Sequence, residues 1–395
     1  MSTPGSHPRP RAAARLGGIR PTIFTEMSAL AVRTGSVNLG QGFPDADGPP
    51  SVVEAAVDAL RGGRNQYAPG SGVPELREAI VAHQEAHYGL AWDPASEVTV
   101  STGATEGIAA ALLGLVDPGD EVVVLEPYYD SYTAMIQMAG AVRRPVTLRA
   151  PDFRLEREAL AAAVSERARV LLLNTPHNPT GRVLDREELE AVAAVAIEHD
   201  LVVVTDEVYE HLVFDDRVHV PLATLPGMAE RTLTLSSAGK TFSFTGWKVG
   251  WATGPAELVQ ALEGAKQWMS FSSGAPLQPA VAHALSTQQD FVAALAAELQ
   301  EKRNRLCAGL GELDVDVYRP EGTYFVLTDV RRYGHQDSLA FCEALPERAG
   351  VVAIPAQVFY DDLHEGRHLV RWAFCKDGDV IDAGLEKLLA ADLHA

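Results

Sequence analysis

Two lysines stand eight residues apart in TLTLSSAGKTFSFTGWKVGW, Lys240 and Lys248, among small and apolar neighbours that a surface lysine does not need. An amine withdrawn from water has a depressed pKa and becomes a nucleophile toward an aldehyde. Ser236, Ser237, Gly239, Thr245 and Gly246 share that segment. In LVVVTDEVY, Asp206 and Glu207 follow an apolar run directly, with Tyr209 three residues beyond Asp206. A carboxylate at the end of a buried strand needs a partner, either a ligand or the amides of a helix that it caps. VLLLNTPHNPTG sets Asn174 and Asn178 in a loop stiffened by two prolines, where Asn178 serves a turn or a ligand. In STGATEG, Gly103, Ala104 and Thr105 open an Ala-rich helix; their small size either exposes backbone amides to an anion or simply makes a strand-to-helix turn. Arg371 alternates with Leu369 and Ala373 in HLVRWAF, which suits an anion clamp or a structural salt bridge.

These residues lie just after short runs rich in Val, Leu and Ile. The runs span 98–100, 122–125, 170–174, 202–205, 232–235 and 249–252, and they alternate with stretches of helical period such as 186–198. Such alternation predicts an α/β fold, a three-layer arrangement whose mostly parallel sheet carries helices on both faces. In such sheets ligands sit beyond the carboxyl ends of the strands, where the polar residues above fall. After about Pro279 the pattern becomes one long helical stretch through Leu310, then strand-like runs at 315–317, 324–327 and 369–374, which reads as a smaller α+β domain.

The 395 residues carry a net charge of −20, so nucleic acid and anionic membrane are disfavoured as partners, and any anionic ligand must be captured locally. No apolar run approaches the roughly 18 residues of a membrane span. Cys307, Cys342 and Cys375 are widely spaced and read as free thiols of a reducing compartment. The first 20 residues hold four arginines and no acid, but Pro4, Pro8 and Pro10 oppose a targeting helix, and the segment reads as a mobile tail. HQEAH spaces His83 and His87 like a zinc pair, yet Gln84 stands where a catalytic glutamate belongs and no third ligand is evident, so solvent-facing histidines and no metal are expected. Dinucleotide, P-loop and hydrolase-elbow motifs are absent.

TIFTEMSAL, NLGQGFPD, NQY, GATEG, EPYYDSY, NTPHNPTG, TDEVYEH, SSAGKTFSFTGWKVGW, GTYF and VRWAFCKD occur in that order from Thr22 onward. With these the chain resembles the class I/II aminotransferases of the fold type I pyridoxal-phosphate enzymes, in the kynurenine, glutamine-phenylpyruvate and N-succinyldiaminopimelate group. The resemblance implies an N-terminal arm with part of a small domain over residues 1–45, a large cofactor-binding domain over 46–285 and a small domain over 286–395. It implies that Lys240 forms a Schiff base with pyridoxal 5′-phosphate and shuttles the proton, that Asp206 pairs with the pyridinium nitrogen, and that Asn178 and Tyr209 bond the ring's phenolic oxygen. Tyr129 would stack on the ring. Ala104, Thr105, Ser237 and Lys248 would hold the phosphate, reached also by Tyr67 from a neighbouring subunit. Arg371 would clamp the substrate carboxylate, Gly40 would let backbone approach the substrate, and Phe271 would enter the partner's pocket. A cytoplasmic homodimer acting on an amino acid and a 2-oxo acid, most simply 2-oxoglutarate, is implied. The motifs do not choose among N-succinyl-LL-diaminopimelate, kynurenine and glutamine as donor. A β-lyase uses the same opening chemistry, whereas a non-catalytic cofactor sensor would call for a DNA-binding module that the chain lacks room for.

Overall fold

The computed structural model describes residues 13–19 and 21–395. A two-residue strand β1 (Val37–Asn38) precedes seven strands that form one sheet: β2 (Val98–Ser101), β3 (Glu121–Glu126), β4 (Val142–Thr147), β5 (Ala168–Asn174), β6 (Val202–Asp206), β7 (Thr232–Ser237) and β8 (Gly250–Thr253). Their order is β2-β8-β7-β6-β5-β3-β4. All pairs are parallel except those of β8, which opposes both neighbours. Because β8 runs the other way, its entry beside Lys248 lies at the same edge as the exits of β5, β6 and β7.

Both faces of the sheet are covered, which is why these strands read as continuous apolar runs. Side chains alternate between two cores. Val122, Val124, Leu172 and Val204 pack with Ile108, Leu112, Leu258 and Leu262 of helices Gly103–Leu115 and Ala256–Lys266. Val123, Leu171, Leu173 and Val203 pack on the other side with Leu189 and Val192 of helix Arg186–Glu198. That helix begins with a reciprocal cap between Asp185 and Glu188, which explains its sharp start.

A second, four-stranded antiparallel sheet has β9 (Asp316–Tyr318), β10 (Phe325–Asp329), β12 (Ile354–Pro355) and β13 (Leu369–Ala373) in the order β12-β13-β10-β9. The intervening β11 (Val351–Val352) pairs instead with β1, joining the beginning of the chain to its end. Arg371 lies at the middle of β13, opposite Leu327.

Two expectations are corrected, and one strand was missed. The helical stretch through Leu310 is two helices, Leu277–Thr287 and Gln289–Leu310, parted at Gln288, whose ψ of 31° leaves the helical region. β4 escaped the sequence reading because VRRPVT breaks the apolar pattern; among the described residues it is an edge strand bonded to β3 alone, where proline and arginine are tolerated. Part of the expected tail is docked: Gln137 Nε2 donates to the carbonyls of Arg15 (2.9 Å) and Gly17 (2.8 Å). The rest of that expectation, on residues 1–12 and 20, lies outside the described residues. Among the described residues no helix is long and apolar enough to cross a membrane.

Helix Gly103–Leu115, whose start faces the site, is fixed by a close crossing. A Cβ on Gly114 would come 2.2 Å from the Ala261 carbonyl oxygen, a backbone atom that cannot give way. Gly114→Ala should therefore lower unfolding stability by about 1–3 kcal/mol despite alanine's better helix propensity. Gly264→Ala on the facing helix, where nothing lies within 4 Å, should not destabilise; denaturant titration of both variants checks the contrast.

Candidate active site

Beyond the carboxyl ends of β5, β6 and β7 lies a cavity of about 660 Å³ that also reaches the loop after β2 and the face of β13. Lys240 enters it from the one-turn helix Ala238–Thr241 that follows β7. Its Nζ donates to Tyr324 Oη at 2.5 Å, and Tyr324 Oη donates to the Gly42 carbonyl at 2.7 Å. Burial is the main cause that brings the Lys240 amine down to about 8, with Lys248 and Arg371 adding to it against Cys375 and Asp206.

Asp206, buried at the end of β6, accepts from Tyr132 Oη at 2.6 Å and from the Val208 amide at 3.3 Å. Burial raises its pKa, and the two hydrogen bonds oppose that rise. Asn174, paired with Asp206 across β5 and β6, ties the next loop to this point. Its Nδ2 donates to the Asp206 carbonyl (2.8 Å) while its Oδ1 accepts from the Asn178 amide (2.8 Å).

Asn178 Oδ1 in turn accepts from Arg371 Nη1 at 3.0 Å, and Arg371 Nη2 donates to the Gly40 carbonyl at 3.1 Å. The guanidinium is buried against the rings of Phe325, Phe24 and Phe359, at 3.9, 4.8 and 5.4 Å from their centroids. Burial pulls its pKa down to about 10, still cationic at neutral pH. Among the described residues no carboxylate forms an ion pair with it, and its Nε has no partner. A salt bridge therefore does not explain Arg371, and the buried cation is left able to take an anion.

At the other end the helix Gly103–Leu115 points its first amides, those of Ala104 and Thr105, toward the cavity beside Ser237 and Lys248. Two glycines make this approach possible. A Cβ on Gly103, whose φ is +73°, would stand 2.9 Å from Lys248 Nζ, and one on Gly250 would stand 2.6 Å from the Ala104 amide nitrogen. Helix amides, a hydroxyl and an ammonium in one cradle suit a phosphate. Tyr129 lines the same cavity.

Residues 34–382 match the family model described as aminotransferase class I and II. The chain belongs to that family. It is similar to a probable N-succinyldiaminopimelate aminotransferase of Mycobacterium tuberculosis, 53% identical over 95% of this chain and 97% of the relative. A methionine aminotransferase of Escherichia coli is 39% identical over 95% of this chain and 97% of its own length. Among solved structures, the M. tuberculosis N-succinyldiaminopimelate aminotransferase superposes with a TM-score of 0.94 at 54% identity, covering 96% of this chain and 99% of that one. The fold is thus that of the type I aminotransferases, as the sequence motifs imply.

In this aminotransferase Ala104, Thr105, Tyr129, Asn178, Asp206, Tyr209, Ser237, Lys240, Lys248 and Arg371 all line the one cavity. Gly40 sits behind it, reached through its carbonyl; a Cβ there would meet Ile354 at 3.0 Å. Tyr67 and Phe271 do not reach this chain's cavity. They stand on the surface, 86% and 47% exposed, ring edge to ring face with centroids 5.7 Å apart. Sequence reasoning assigned no role to Tyr132, Tyr324, Phe24 or Gln41, although EPYYDSY, GTYF, TIFTEMSAL and NLGQG contain them. The reading of HQEAH needs correction. His83 is buried, not solvent-facing, and a third imidazole, His211, lies against it.

Only the neutral amine attacks electrophiles, so Lys240 should gain reactivity as pH rises through about 8 and not through the ordinary 10.5. Trinitrobenzenesulfonate labelling of cofactor-free protein, read at the Lys240 peptide by mass spectrometry, should show a midpoint near 8. A midpoint above 10 would contradict the burial argument.

Proposed function

We propose that this aminotransferase carries pyridoxal 5′-phosphate on Lys240 and moves the amino group of N-succinyl-LL-diaminopimelate to 2-oxoglutarate, as a cytoplasmic homodimer. The observation that carries the reading is one cavity holding an amine, a buried carboxylate and a buried unpaired guanidinium in fixed mutual positions. When bound, the cofactor supplies an electrophilic carbonyl carbon and a ring able to take up the electron pair released at the substrate Cα.

The chain's own groups divide the remaining work. Arg371 grips the substrate α-carboxylate through its fork of donors and so orients the Cα–H bond toward Lys240. Lys240 Nζ, neutral for an appreciable fraction of the time near pH 7–8, takes the proton from Cα. Asp206, held by Tyr132 and the Val208 amide, keeps a proton on the cofactor's ring nitrogen. Asn178 and Tyr209 hold the phenolic oxygen, and Tyr129 covers the ring face. The Ala104 and Thr105 amides, Ser237 and Lys248 hold the phosphate, supplying the local positive field that a chain of net charge −20 lacks overall. Tyr67 and Phe271, exposed on this chain, are the surface aromatics suited to complete a partner's site.

The choice of donor rests on the relative that is 53% identical over nearly the whole chain. Thr22, Thr25, Ser28 and Gln41 in the cavity lining offer hydrogen-bonding groups to a long polar side chain. In spectroscopic half-reactions of the loaded enzyme, N-succinyl-LL-diaminopimelate should convert at least tenfold more efficiently than methionine, kynurenine or glutamine. Preference for any of those three would overturn the substrate assignment. Dominant release of pyruvate from a cysteine conjugate, without glutamate formation, would mark a β-lyase instead.

Arg371→Lys should lower kcat/KM by about 30–1000-fold, because a point charge cannot reproduce two parallel hydrogen bonds, an expected loss of roughly 2–4 kcal/mol. Steady-state kinetics with saturating cofactor check this. Lys240→Ala should lose turnover roughly a thousandfold or more.

A further inference from the structure

Behind the loop that carries Asp206 and Tyr209, on the side away from the cavity, lies a second pocket of about 390 Å³. His83 and His87 enter it from helix Pro74–Tyr88, and Glu210 and His211 enter it from the loop after β6. His83 Nε2 lies 2.9 Å from His211 Nε2, and the His87 ring stacks on that of His83 with centroids 4.2 Å apart. One ligand nitrogen from each of the three lies within 4.8 Å of the other two.

The tautomer of His87 follows from its partner. Its Nδ1 meets the His83 carbonyl oxygen at 3.0 Å, and a carbonyl can only accept. Nδ1 therefore carries the hydrogen, and Nε2 keeps the lone pair that binds metal. The 2.9 Å separation of His83 and His211 is only a few tenths below the roughly 3.3 Å spanned by two nitrogens on a tetrahedral zinc ion, so ligation needs a small ring rotation and the transfer of the hydrogen shared by the two Nε2 atoms to the Nδ1 of the ring that holds it.

Charge points the same way. Glu210 is buried, and its carboxylate accepts from Tyr88 Oη (2.8 Å) and Ser236 Oγ (2.5 Å), donors that suit an anion. Among the described residues the only basic group within 4 Å is His211, at 3.9 Å. The neighbouring Glu207 is already matched by His219 at 2.8 Å. Three imidazoles beside a buried carboxylate form a donor set for a divalent ion, and Arg217, which lines the same pocket, is engaged by Glu321.

We propose that His83, His87 and His211, with Glu210 beside them, bind one zinc-type divalent cation. The ion would pin helix Pro74–Tyr88 to the loop that positions Asp206 and Tyr209, and Thr241 and Phe242, next to Lys240, line the same pocket. This site takes no part in the transfer reaction, so the proposal stands or falls apart from the assignment of substrate.

The test uses tag-free, cofactor-loaded protein stripped with a chelator and titrated with zinc chloride against a chromophoric competitor. One zinc per chain should bind with a dissociation constant of about a micromolar or tighter, while magnesium should not compete. His87 is exposed, so His87→Ala should fold and keep its turnover in metal-free buffer, yet bind zinc at least tenfold more weakly. His211→Gln should do likewise. Zinc should raise the thermal midpoint of the wild type and not of His87→Ala. Absence of saturable binding below about 100 micromolar, wild-type affinity in His87→Ala, or anomalous scattering that places the ion elsewhere would each overturn the proposal.

Discussion

The structure depends on holding a half-buried amine and a fully buried guanidinium with no carboxylate ion-paired to either among the described residues. Lys240 is left with a tyrosine hydroxyl as its hydrogen-bond partner, and Arg371 with an asparagine amide oxygen and a backbone carbonyl. Neutral acceptors of this kind make a buried cation tolerable without neutralising it. That incomplete compensation is what makes one group reactive and the other ready to receive an anion. Asp206, the one carboxylate lining the cavity among the described residues, is reserved by Tyr132 and the Val208 amide, which hold it in place rather than cancelling the cations.

The backbone arrangement follows from that demand. Three parallel strands end side by side, and β8 runs against them so that Lys248 reaches the same edge. The side chain of Asn174 joins two of these ends, and Asn178 passes the constraint on to Arg371 in the second sheet. A continuous hydrogen-bonded chain thus runs from the Asp206 backbone to Gly40, linking residues far apart in sequence. Gly103 and Gly250 remove the side chains that would otherwise separate the helix amides from Lys248.

Much of this was legible in the sequence, for a physical reason. Strands covered on both faces must be uninterrupted runs of apolar residues, so β3, β5 and β6 stand out, and the polar residues that end them are conspicuous by position. Asp206 and Lys240 were legible in that way. β4 was not, because an edge strand can carry Arg143, Arg144 and Pro145. The break at Gln288 was hidden because both flanking segments keep helical period. Tyr132 and Tyr324 resemble ordinary core aromatics until their hydroxyls are seen to meet Asp206 and Lys240. His211 could not be joined to HQEAH by spacing, since more than a hundred residues of chain separate them and only the packing of a helix against the β6 loop brings them together.

In the proposed function the half-buried amine of Lys240 is the covalent anchor for pyridoxal phosphate. Borohydride reduction of the reconstituted protein, followed by digestion and fragment mass spectrometry, tests it most directly. One pyridoxyl group per chain, fixed on Lys240, is the predicted result. A label on Lys248 or on scattered surface lysines, with Lys240 unmodified, would contradict the account.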